Sequence, residues 1–281
     1  MRCRVPASSA NLGPGFDVLA VALNLYIEVS LEPADHFAIS SEGCGAGLFD
    51  DERHLAAVVA KSVLGHADFN MHVNSNIPLS RGLGSSAALV LAAAAAAGAI
   101  DPLAIAADVD GHAENAAASL LGGLVAASVR DGGVVARALT LDEAWRFVVV
   151  IPDLELKTTD ARHVLPQSVP FADAVFNLSS LGLLIAGLAR HDMFVASSMD
   201  DALHQNYRME LVSFARPLLA TLREAGALGS CWSGAGSTML GLCLADSVEV
   251  VARAAREFLE AHSEPGNVLV LEADRTGLVV L

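Results

Sequence analysis

One stretch of the sequence reads Pro78-Leu79-Ser80-Arg81-Gly82-Leu83-Gly84-Ser85-Ser86-Ala87-Ala88 and continues into a run of alanines. Alanine favours helix, so the pattern predicts a helix from Ser85 to Ala99 with a glycine and serine loop before it. Such a loop exposes backbone N–H groups at a helix N-terminus, where the helix dipole adds positive potential. The stretch therefore predicts a phosphate-binding loop.

Three interpretations of this loop compete. A Walker A loop needs a lysine before the Ser or Thr, and the only lysines, Lys61 and Lys157, lie elsewhere. Gly82, Gly84 and Ala87 match the dinucleotide fingerprint G-x-G-x-x-[GA], but the preceding strand alternates in polarity, whereas a dinucleotide fold requires a fully buried parallel strand there. A glycine turn before a closely packed helix, with no ligand, is the third interpretation.

The rest of the chain mixes helical and strand patterns, which predicts an α+β fold. Predicted helices cover 55–64, 85–99, 103–121 with a break near Gly111, 172–190, 210–225 and 248–261. Predicted strands cover 18–31, 69–73, 147–151, 239–244 and 268–271, with a hairpin over 124–129 and 134–139. Prolines at 152, 166 and 170 follow an apolar run. We therefore predict two domains, 1–152 and 153–281.

The composition excludes several classes of protein. Hydrophobic residues form 53% of the 281 residues and charged residues 17%, which excludes global disorder. The net charge of −15 opposes binding to nucleic acid or to an anionic membrane surface. The uncharged stretch from Gly82 to Ile100 is too rich in alanine for a membrane span, so we predict a buried helix of a soluble domain.

The cysteines and the first residues predict a cytoplasmic protein. Cys3, Cys44, Cys231 and Cys243 show no spacing typical of zinc sites, so we expect buried thiols in a reducing compartment. We expect no signal peptide, because the first residues are followed by Pro6 and small polar residues instead of an apolar segment.

A second segment, Pro6-Ala7-Ser8-Ser9-Ala10-Asn11-Leu12-Gly13-Pro14-Gly15-Phe16-Asp17, predicts an ordered loop with an accessible backbone. It resembles the first motif of the homoserine kinases, which belong to the superfamily of galactokinase, homoserine kinase, mevalonate kinase and phosphomevalonate kinase (GHMP kinases). The segment from Pro78 to Ala88 is similar to the ATP-binding second motif of that superfamily, and Ser233 to Thr238 to its third motif. The motifs occur in the same order, and the resemblance covers most of the chain.

The resemblance implies a two-domain GHMP kinase fold: an N-terminal nucleotide-binding domain like ribosomal protein S5 domain 2 and a C-terminal ferredoxin-like domain. It implies ATP and Mg²⁺, with residues Pro78 to Ala88 around the nucleotide. It also implies a homodimer. The expected reaction is phosphorylation of the γ-hydroxyl of L-homoserine, a step of threonine biosynthesis.

The resemblance also implies a site for the amino acid. It assigns Asn11 to the hydroxyl and Asp17 to the ammonium group. Arg162 lies in a segment similar to the family's T-x-x-A-R pattern, which begins at Thr158, and Arg208 ends a second such segment. A guanidinium binds a carboxylate through two parallel hydrogen bonds, so both arginines are chemically suited to the substrate carboxylate. Thr158 is a further candidate catalytic residue.

Residues Asp110-Gly111-His112-Ala113-Glu114-Asn115 resemble the family's E-G-H-P-D-N stretch with substitutions. The resemblance makes Asp110, with the Ser86 hydroxyl, the expected magnesium ligand and Glu114 a substrate contact. Asn115 stands near the place of a catalytic aspartate in mevalonate kinases. His112 is the candidate to assist proton transfer and to contact substrate.

Other interpretations stay open from the sequence alone. Asp110 and Glu114 are also compatible with an exposed helix face, and their departure from the family pattern is compatible with a ligand-binding protein without turnover. A kinase for another small alcohol and a nicotinamide oxidoreductase are further alternatives.

Overall fold

The computed structural model describes all 281 residues and contains two β-sheets with helices packed on them. The strands are β1 (Arg2–Asn11), β2 (Gly15–Pro33), β3 (Ala38–Gly43), β4 (Phe69–Ser75), β5 (Leu124–Arg130), β6 (Gly133–Leu139), β7 (Arg146–Pro152), β8 (Gly229–Trp232), β9 (Met239–Cys243), β10 (Gly266–Leu271) and β11 (Val279–Val280). The helices are α1 (Leu55–Leu64), α2 (Ser85–Ala96), α3 (Pro102–Asp110), α4 (Ala113–Leu121), α5 (Thr158–His163), α6 (Phe171–Ala189), α7 (Gln205–Arg208), α8 (Ala215–Glu224) and α9 (Val248–Ala261). Short 3₁₀ turns cover 191–193, 196–199 and 209–211.

The first sheet has seven strands and carries the helices that build the site. Its order is β11-β1-β2-β4-β3, and β5 joins β2 to β6. Neighbouring strands are antiparallel except β3 and β4. Helices α2 and α4 both contact β1, where Ala7, Ser8, Ser9 and Ala10 are at most 1% exposed. Because these side chains are small, the helices approach the strand closely.

The second sheet is antiparallel, with the order β10-β7-β9-β8. Numbered along the chain, these strands run 4-1-3-2 with helices between the first and second and between the third and fourth, which is the ferredoxin-like arrangement. The α+β class and the ferredoxin-like second domain are therefore confirmed.

Strand β7 joins the two hydrophobic cores because side chains alternate across a strand. Phe147, Val149 and Ile151 belong to the large core shared with the first sheet. Val148 and Val150 instead pack in a second core with residues of α8 and α9. Both faces of β7 are covered, which explains why the strand reads as a continuous apolar run.

The position of β7 bears on the domain division. We predicted domains of 1–152 and 153–281, yet β7 precedes residue 153 and pairs only within the second sheet. We therefore propose a boundary between β6 and β7, in residues 140–145. Near the C-terminus, β11 returns to pair with β1 of the first sheet.

The expectation of a loop from Pro6 to Asp17 is wrong for most of that segment. Residues 2–11 form β1, and only residues 12–14 turn before β2 begins. Pro6 is accommodated because the register between β1 and β2 shifts between Pro6 and Ala7. Pairing with a distant strand thus overrides the turn tendency of serine, asparagine and proline.

Most other elements are confirmed within a few residues. The predicted helix over 103–121 is broken at Gly111 into α3 and α4. The helix predicted from Glu210 begins at Ala215, after a 3₁₀ turn. The alanine-rich α2 is a buried core helix as expected, ending at Ala96.

Helix α6 is long and apolar enough to cross a membrane by length and composition alone. Its mean hydropathy is 1.6 and 28% of the 18-residue window is buried. Leu184 and Leu188 on one side enter the large core. Phe171, Leu178 and Leu183 on the rest of the helix are exposed.

Candidate active site

The N-terminus of α2 leaves backbone N–H groups free for a ligand. Gly84 caps the helix in the left-handed conformation, φ 65°, and no side chain caps it. The first backbone hydrogen bond of the helix runs from Ala88 to the Gly84 carbonyl, 2.9 Å. The N–H groups of Ser85, Ser86 and Ala87 precede that bond, so no partner within the helix uses them. This is the geometry of an anion site.

The three sequence motifs meet at this loop. The Ser233 hydroxyl from the third motif donates to the Gly82 carbonyl, 2.8 Å, and lies 2.7 Å from the Ser9 hydroxyl of β1. A Cβ on Gly82 would overlap the Ser233 carbonyl oxygen, and one on Gly84 would overlap the Ser8 hydroxyl. Both glycines have positive φ, so close approach and conformation each require them.

Most of the predicted site residues border one cavity of about 140 Å³. The predicted residues that line it are Asn11, Asp17, Pro78, Ser80, Arg81, Gly82, Leu83, Gly84, Ser85, Ser86, Asp110, His112, Glu114, Asn115, Thr158 and Arg208. Ala87 and Ala88 are buried beneath the loop, and Leu79 lines a neighbouring apolar cavity. Arg162 does not line the cavity but contacts two residues that do.

Arg162 forms an ion pair with Asp17. Its two terminal nitrogens donate to the two carboxylate oxygens over 3.0 and 2.9 Å. The same Nη2 lies 3.4 Å from Nε2 of His112. The two side chains of the pair are 45% and 37% exposed, so solvent screens their attraction.

Arg208 is held rigidly in the wall of the cavity and is 2% exposed. Its Nε donates to the Ala161 carbonyl, 3.2 Å, and its Nη1 to the Gly234 carbonyl, 2.7 Å. Burial lowers the pKa of Arg208 to about 10, which still leaves it charged at neutral pH. The Phe16 ring lies under both guanidinium groups, 5.2 Å from Arg208 and 5.6 Å from Arg162.

His204 supports Arg208 from behind and is fully buried. Its Nε2 donates to the Gly13 carbonyl, 2.8 Å, so its Nδ1 is free to accept from Arg208 Nη1 at 3.3 Å. The ring stacks on Phe16 at 5.1 Å. Burial lowers the pKa of His204 to about 4, so it is neutral at physiological pH.

A second group of polar side chains comes from the turn into α4. Glu114 is 3% exposed, and burial raises the pKa of its carboxyl. Hydrogen bonding to Asp110 raises the pKa of His112. The Asn115 Oδ1 accepts from the Ser8 hydroxyl, 3.0 Å, which leaves its amide nitrogen for the cavity.

Asn11 uses both ends of its side chain inside the protein. Its Nδ2 donates to the Gly234 carbonyl, 2.9 Å, and its Oδ1 accepts from the Asp17 N–H, 3.0 Å. It therefore joins the first motif to the third. One amide proton stays available to a ligand.

The oxygen donors at the cavity suit magnesium. Ser86 is exposed and Asp110 is partly exposed, and both border the cavity. No group of three or more His, Cys, Asp or Glu side chains gathers anywhere in the chain in a metal-binding arrangement. Magnesium is commonly held by one or two protein oxygens together with water and substrate phosphates, so these residues fit that ion.

Two family models match the chain, one in each predicted domain. The GHMP kinases N terminal domain matches residues 53–123, and the GHMP kinases C terminal model matches residues 179–261. The homoserine kinase of Desulfitobacterium hafniense is 36% identical over 296 residues, covering 100% of both chains. The chain belongs to the homoserine kinase family of GHMP kinases. The homoserine kinase of Moorella thermoacetica is 40% identical over 256 residues, covering 85% of this chain and 86% of that one.

Solved structures of homoserine kinases share the whole fold of this GHMP kinase. The crystal structure from Cytophaga hutchinsonii has a TM-score of 0.89 at 27% identity, covering 100% of this chain and 97% of that one. The L. major mevalonate kinase in complex with R-mevalonate has a TM-score of 0.72 over 98% of this chain and 96% of that one, at 14% identity, which shows the fold alone. The predicted family and fold are therefore confirmed.

Sequence reasoning missed several residues of the site. Gly234 and Ala235 line the cavity, although the third motif had not been assigned a contact. Phe16 and His204 hold the two arginines, and both lie inside segments already singled out for other residues. The only sequence feature that could have identified them is their position within a motif, since an aromatic ring or a histidine alone is usually a core residue.

Proposed function

We propose that this protein transfers the γ-phosphoryl group of ATP to the γ-hydroxyl of L-homoserine and forms O-phospho-L-homoserine for threonine biosynthesis. One observation carries the proposal. A cluster of two carboxylates and two guanidinium groups (Asp17, Glu114, Arg162 and Arg208) stands at the cavity that the N-terminus of α2 also borders. An amino acid with a side-chain hydroxyl would satisfy the cluster and present its oxygen toward the phosphate site.

The phosphates of ATP would bind the loop from Pro78 to Ala88. The free N–H groups at the start of α2 and its dipole stabilise their negative charge. Ser86 and Asp110 would hold Mg²⁺, which supplies neutralisation of charge on the phosphates. Arg81 is held at the rim of the loop by hydrogen bonds to the Pro152 and Asp153 carbonyls, 2.9 and 2.8 Å.

The base of ATP would occupy the apolar cavity beside the loop, about 130 Å³ in volume. Ser85 lines both this cavity and the phosphate site, and Leu79 of the loop lines this cavity. Leu48 and Phe49, from the segment between β3 and α1, form part of its wall and are exposed. A planar aromatic base would cover these side chains and remove them from water.

The amino acid would be positioned by charge. Asp17 and Glu114 would bind the ammonium group, and Arg162 and Arg208 the carboxylate. The spare amide protons of Asn11 and Asn115 and the Thr158 hydroxyl would hold the γ-hydroxyl. Rate enhancement would come chiefly from in-line positioning and from stabilisation of phosphate charge.

The transfer itself would form one bond and break one. The substrate oxygen attacks the γ-phosphorus, the bond from that phosphorus to the bridging oxygen breaks, and ADP leaves. His112 would receive the hydroxyl proton at Nε2. This atom is the acceptor of the ring, because Nδ1 donates to the Asp110 carbonyl, 2.9 Å; the long contact of Nε2 with Arg162 Nη2, 3.4 Å, would open when Arg162 binds the substrate carboxylate.

The test is ADP release from ATP and Mg²⁺ with L-homoserine, L-serine, L-threonine, mevalonate or no acceptor, with the product identified by mass. We expect turnover that depends on homoserine. Turnover with another alcohol instead would support a kinase activity but contradict homoserine as the substrate. ATP binding without turnover on any acceptor would indicate a ligand-binding protein.

We further propose a cytoplasmic homodimer. Phe171, Val175 and Leu178 share one exposed face of α6 because they are spaced by four and three residues, and a second copy would cover them. Free thiols at all four cysteines suit a reducing compartment. Light scattering after gel filtration should give a molar mass twice the 29.0 kDa mass of the chain. The Leu178→Glu variant should instead have the mass of a single chain.

A further inference from the structure

The ion pair between Asp17 and Arg162 uses the very groups that the proposed function assigns to the substrate. Asp17 would bind the ammonium and Arg162 the carboxylate, yet here they bind one another through two hydrogen bonds. The pair therefore occupies, within the protein, the two interactions that a zwitterionic amino acid would make.

We propose that this pair is a specificity determinant that is exchanged for the two charges of the incoming amino acid. This inference rests on the proposed function. A ligand with both an ammonium and a carboxylate replaces both halves of the pair, and every charge keeps a partner. A ligand with one charge opens the pair and leaves one of its members without a partner.

The surroundings make a lone member of the pair unfavourable. An amine ligand would take Asp17 and leave Arg162 charged near Arg208, the second guanidinium over the Phe16 ring. An acid ligand would take Arg162 and leave Asp17 charged near the buried Glu114. Like charges in a partly buried site repel one another, so each single-charge ligand carries a penalty that the amino acid does not.

Arg162 is the member that can move. It lies on the six-residue α5 and is 45% exposed, whereas Arg208 is 2% exposed and bonded to two backbone carbonyls. Separating the two side chains costs little in itself, because an exposed ion pair is weak, and the penalty arises only when one of the charges is left beside a like charge. Arg208 and Glu114 thus provide the fixed part of the site, and the pair provides the part that responds to ligand charge.

The experiment measures dissociation constants by calorimetry for homoserine, for 4-hydroxybutanoate, which lacks the ammonium, and for 3-aminopropan-1-ol, which lacks the carboxylate. We expect Asp17→Asn to free Arg162 and to tighten 4-hydroxybutanoate by about threefold or more, while homoserine weakens about tenfold to hundredfold. Arg162→Gln should tighten 3-aminopropan-1-ol in the same way and also weaken homoserine. Loss of folding cannot produce such gains.

Asp160→Asn is the matched control, because it removes the same charge two residues from Arg162, from a side chain without a hydrogen bond or ion pair to it. It should leave all three constants within about twofold of the parent protein. If Asp17→Asn binds 4-hydroxybutanoate no better than Asp160→Asn does, the exchange is overturned while the proposed function stands. If the unmodified protein neither binds nor phosphorylates homoserine, the proposed function fails and the exchange fails with it.

Discussion

The phosphate loop and the charged cluster of the site are built by opposite means. The loop from Pro78 to Ala88 is one continuous segment, and the groups that we propose bind the phosphates are backbone N–H groups. The cluster of Asp17, Glu114, Arg162 and Arg208 brings together side chains from four separate segments and both domains. A motif made of backbone is visible in sequence, whereas a constellation of side chains depends on the packing between domains. The two regions should therefore fail differently when they are mutated.

The largest effect is expected at Gly82 in the loop. Gly82→Ala forces a left-handed residue to carry a Cβ that overlaps the Ser233 carbonyl. We expect loss of about 3 kcal/mol of unfolding free energy and at least a hundredfold loss of turnover. Urea unfolding and ADP release measure both.

Gly98→Ala is its control, because Gly98 has φ 82° and nothing within 4 Å of its Cβ position. The Gly98→Ala variant should lose only about 1 kcal/mol of unfolding free energy and keep its activity. Equal losses in the two variants would show that contact between the second and third motifs is unimportant.

Substitutions of the two arginines should differ in their effect on stability, although both should weaken homoserine binding. Arg208→Ala removes a buried cation that bonds to the Ala161 and Gly234 carbonyls. We expect this variant to lose about 3 kcal/mol of unfolding free energy and also to lose homoserine binding. Arg162→Ala should weaken homoserine about tenfold to hundredfold with stability changed by less than about 1 kcal/mol.

Nucleotide binding tests whether Arg162→Ala affects only the homoserine site. Calorimetry with a nonhydrolysable ATP analogue should give an unchanged dissociation constant for Arg162→Ala, because its guanidinium contacts Asp17 and His112 and no residue of the loop from Pro78 to Ala88. Full homoserine turnover in Arg162→Ala would remove that residue from the site.

A pH effect on stability is expected from His204. Its pKa is about 4 in the folded protein and about 6.5 in the unfolded chain, because burial disfavours the cation. Its contribution is present above pH 6.5 and is lost as pH falls toward 4, since the unfolded chain then binds more protons. The loss should reach about 3 kcal/mol at most.

His204→Gln keeps a neutral polar side chain that cannot titrate. Its unfolding free energy should be lower at pH 7 but should vary less between pH 6.5 and 4. An unchanged pH slope in this variant would assign the acid sensitivity to other groups.

The smallest effect is expected at the Ser86 hydroxyl. Ser86→Ala keeps the backbone N–H and should leave stability unchanged, because the residue is exposed. We expect turnover to fall about tenfold or less and the magnesium needed for half activity to rise. Ser80→Ala, also exposed in the loop, should leave the magnesium dependence unchanged.

The elements that were predicted well depend on local pattern. The hairpin of β5 and β6, helix α1 and the alanine-rich α2 all follow from residues adjacent in sequence. The N-terminal segment was wrongly expected to be a loop, because its strand exists through pairing with β2. The division at residue 152 stays a prediction; we propose a boundary before β7 because β7 pairs only with strands of the second sheet, which its own residues cannot reveal.

Site residues divide in the same way. The Gly82 and Gly84 backbone and the separate arginines stand out by residue type and motif. The roles of Phe16 and His204 beneath the guanidinium groups, and the double use of the Asn11 amide, are contacts between distant segments. No local signal encodes such contacts, because a buried histidine looks the same in sequence whether it supports a ligand group or only fills the core.

Sequence alone was sufficient to identify the kinase family and to predict the phosphate loop and the candidate charges, since each depends on residue identity within a short segment. Packing of the two sheets was needed to join three motifs at Gly82, to bury Arg208 while Arg162 stays exposed, and to pair Arg162 with Asp17. The physical reason is that burial and pairing are properties of distance in space. Both depend on which segments the β7 strand and the two hydrophobic cores bring together.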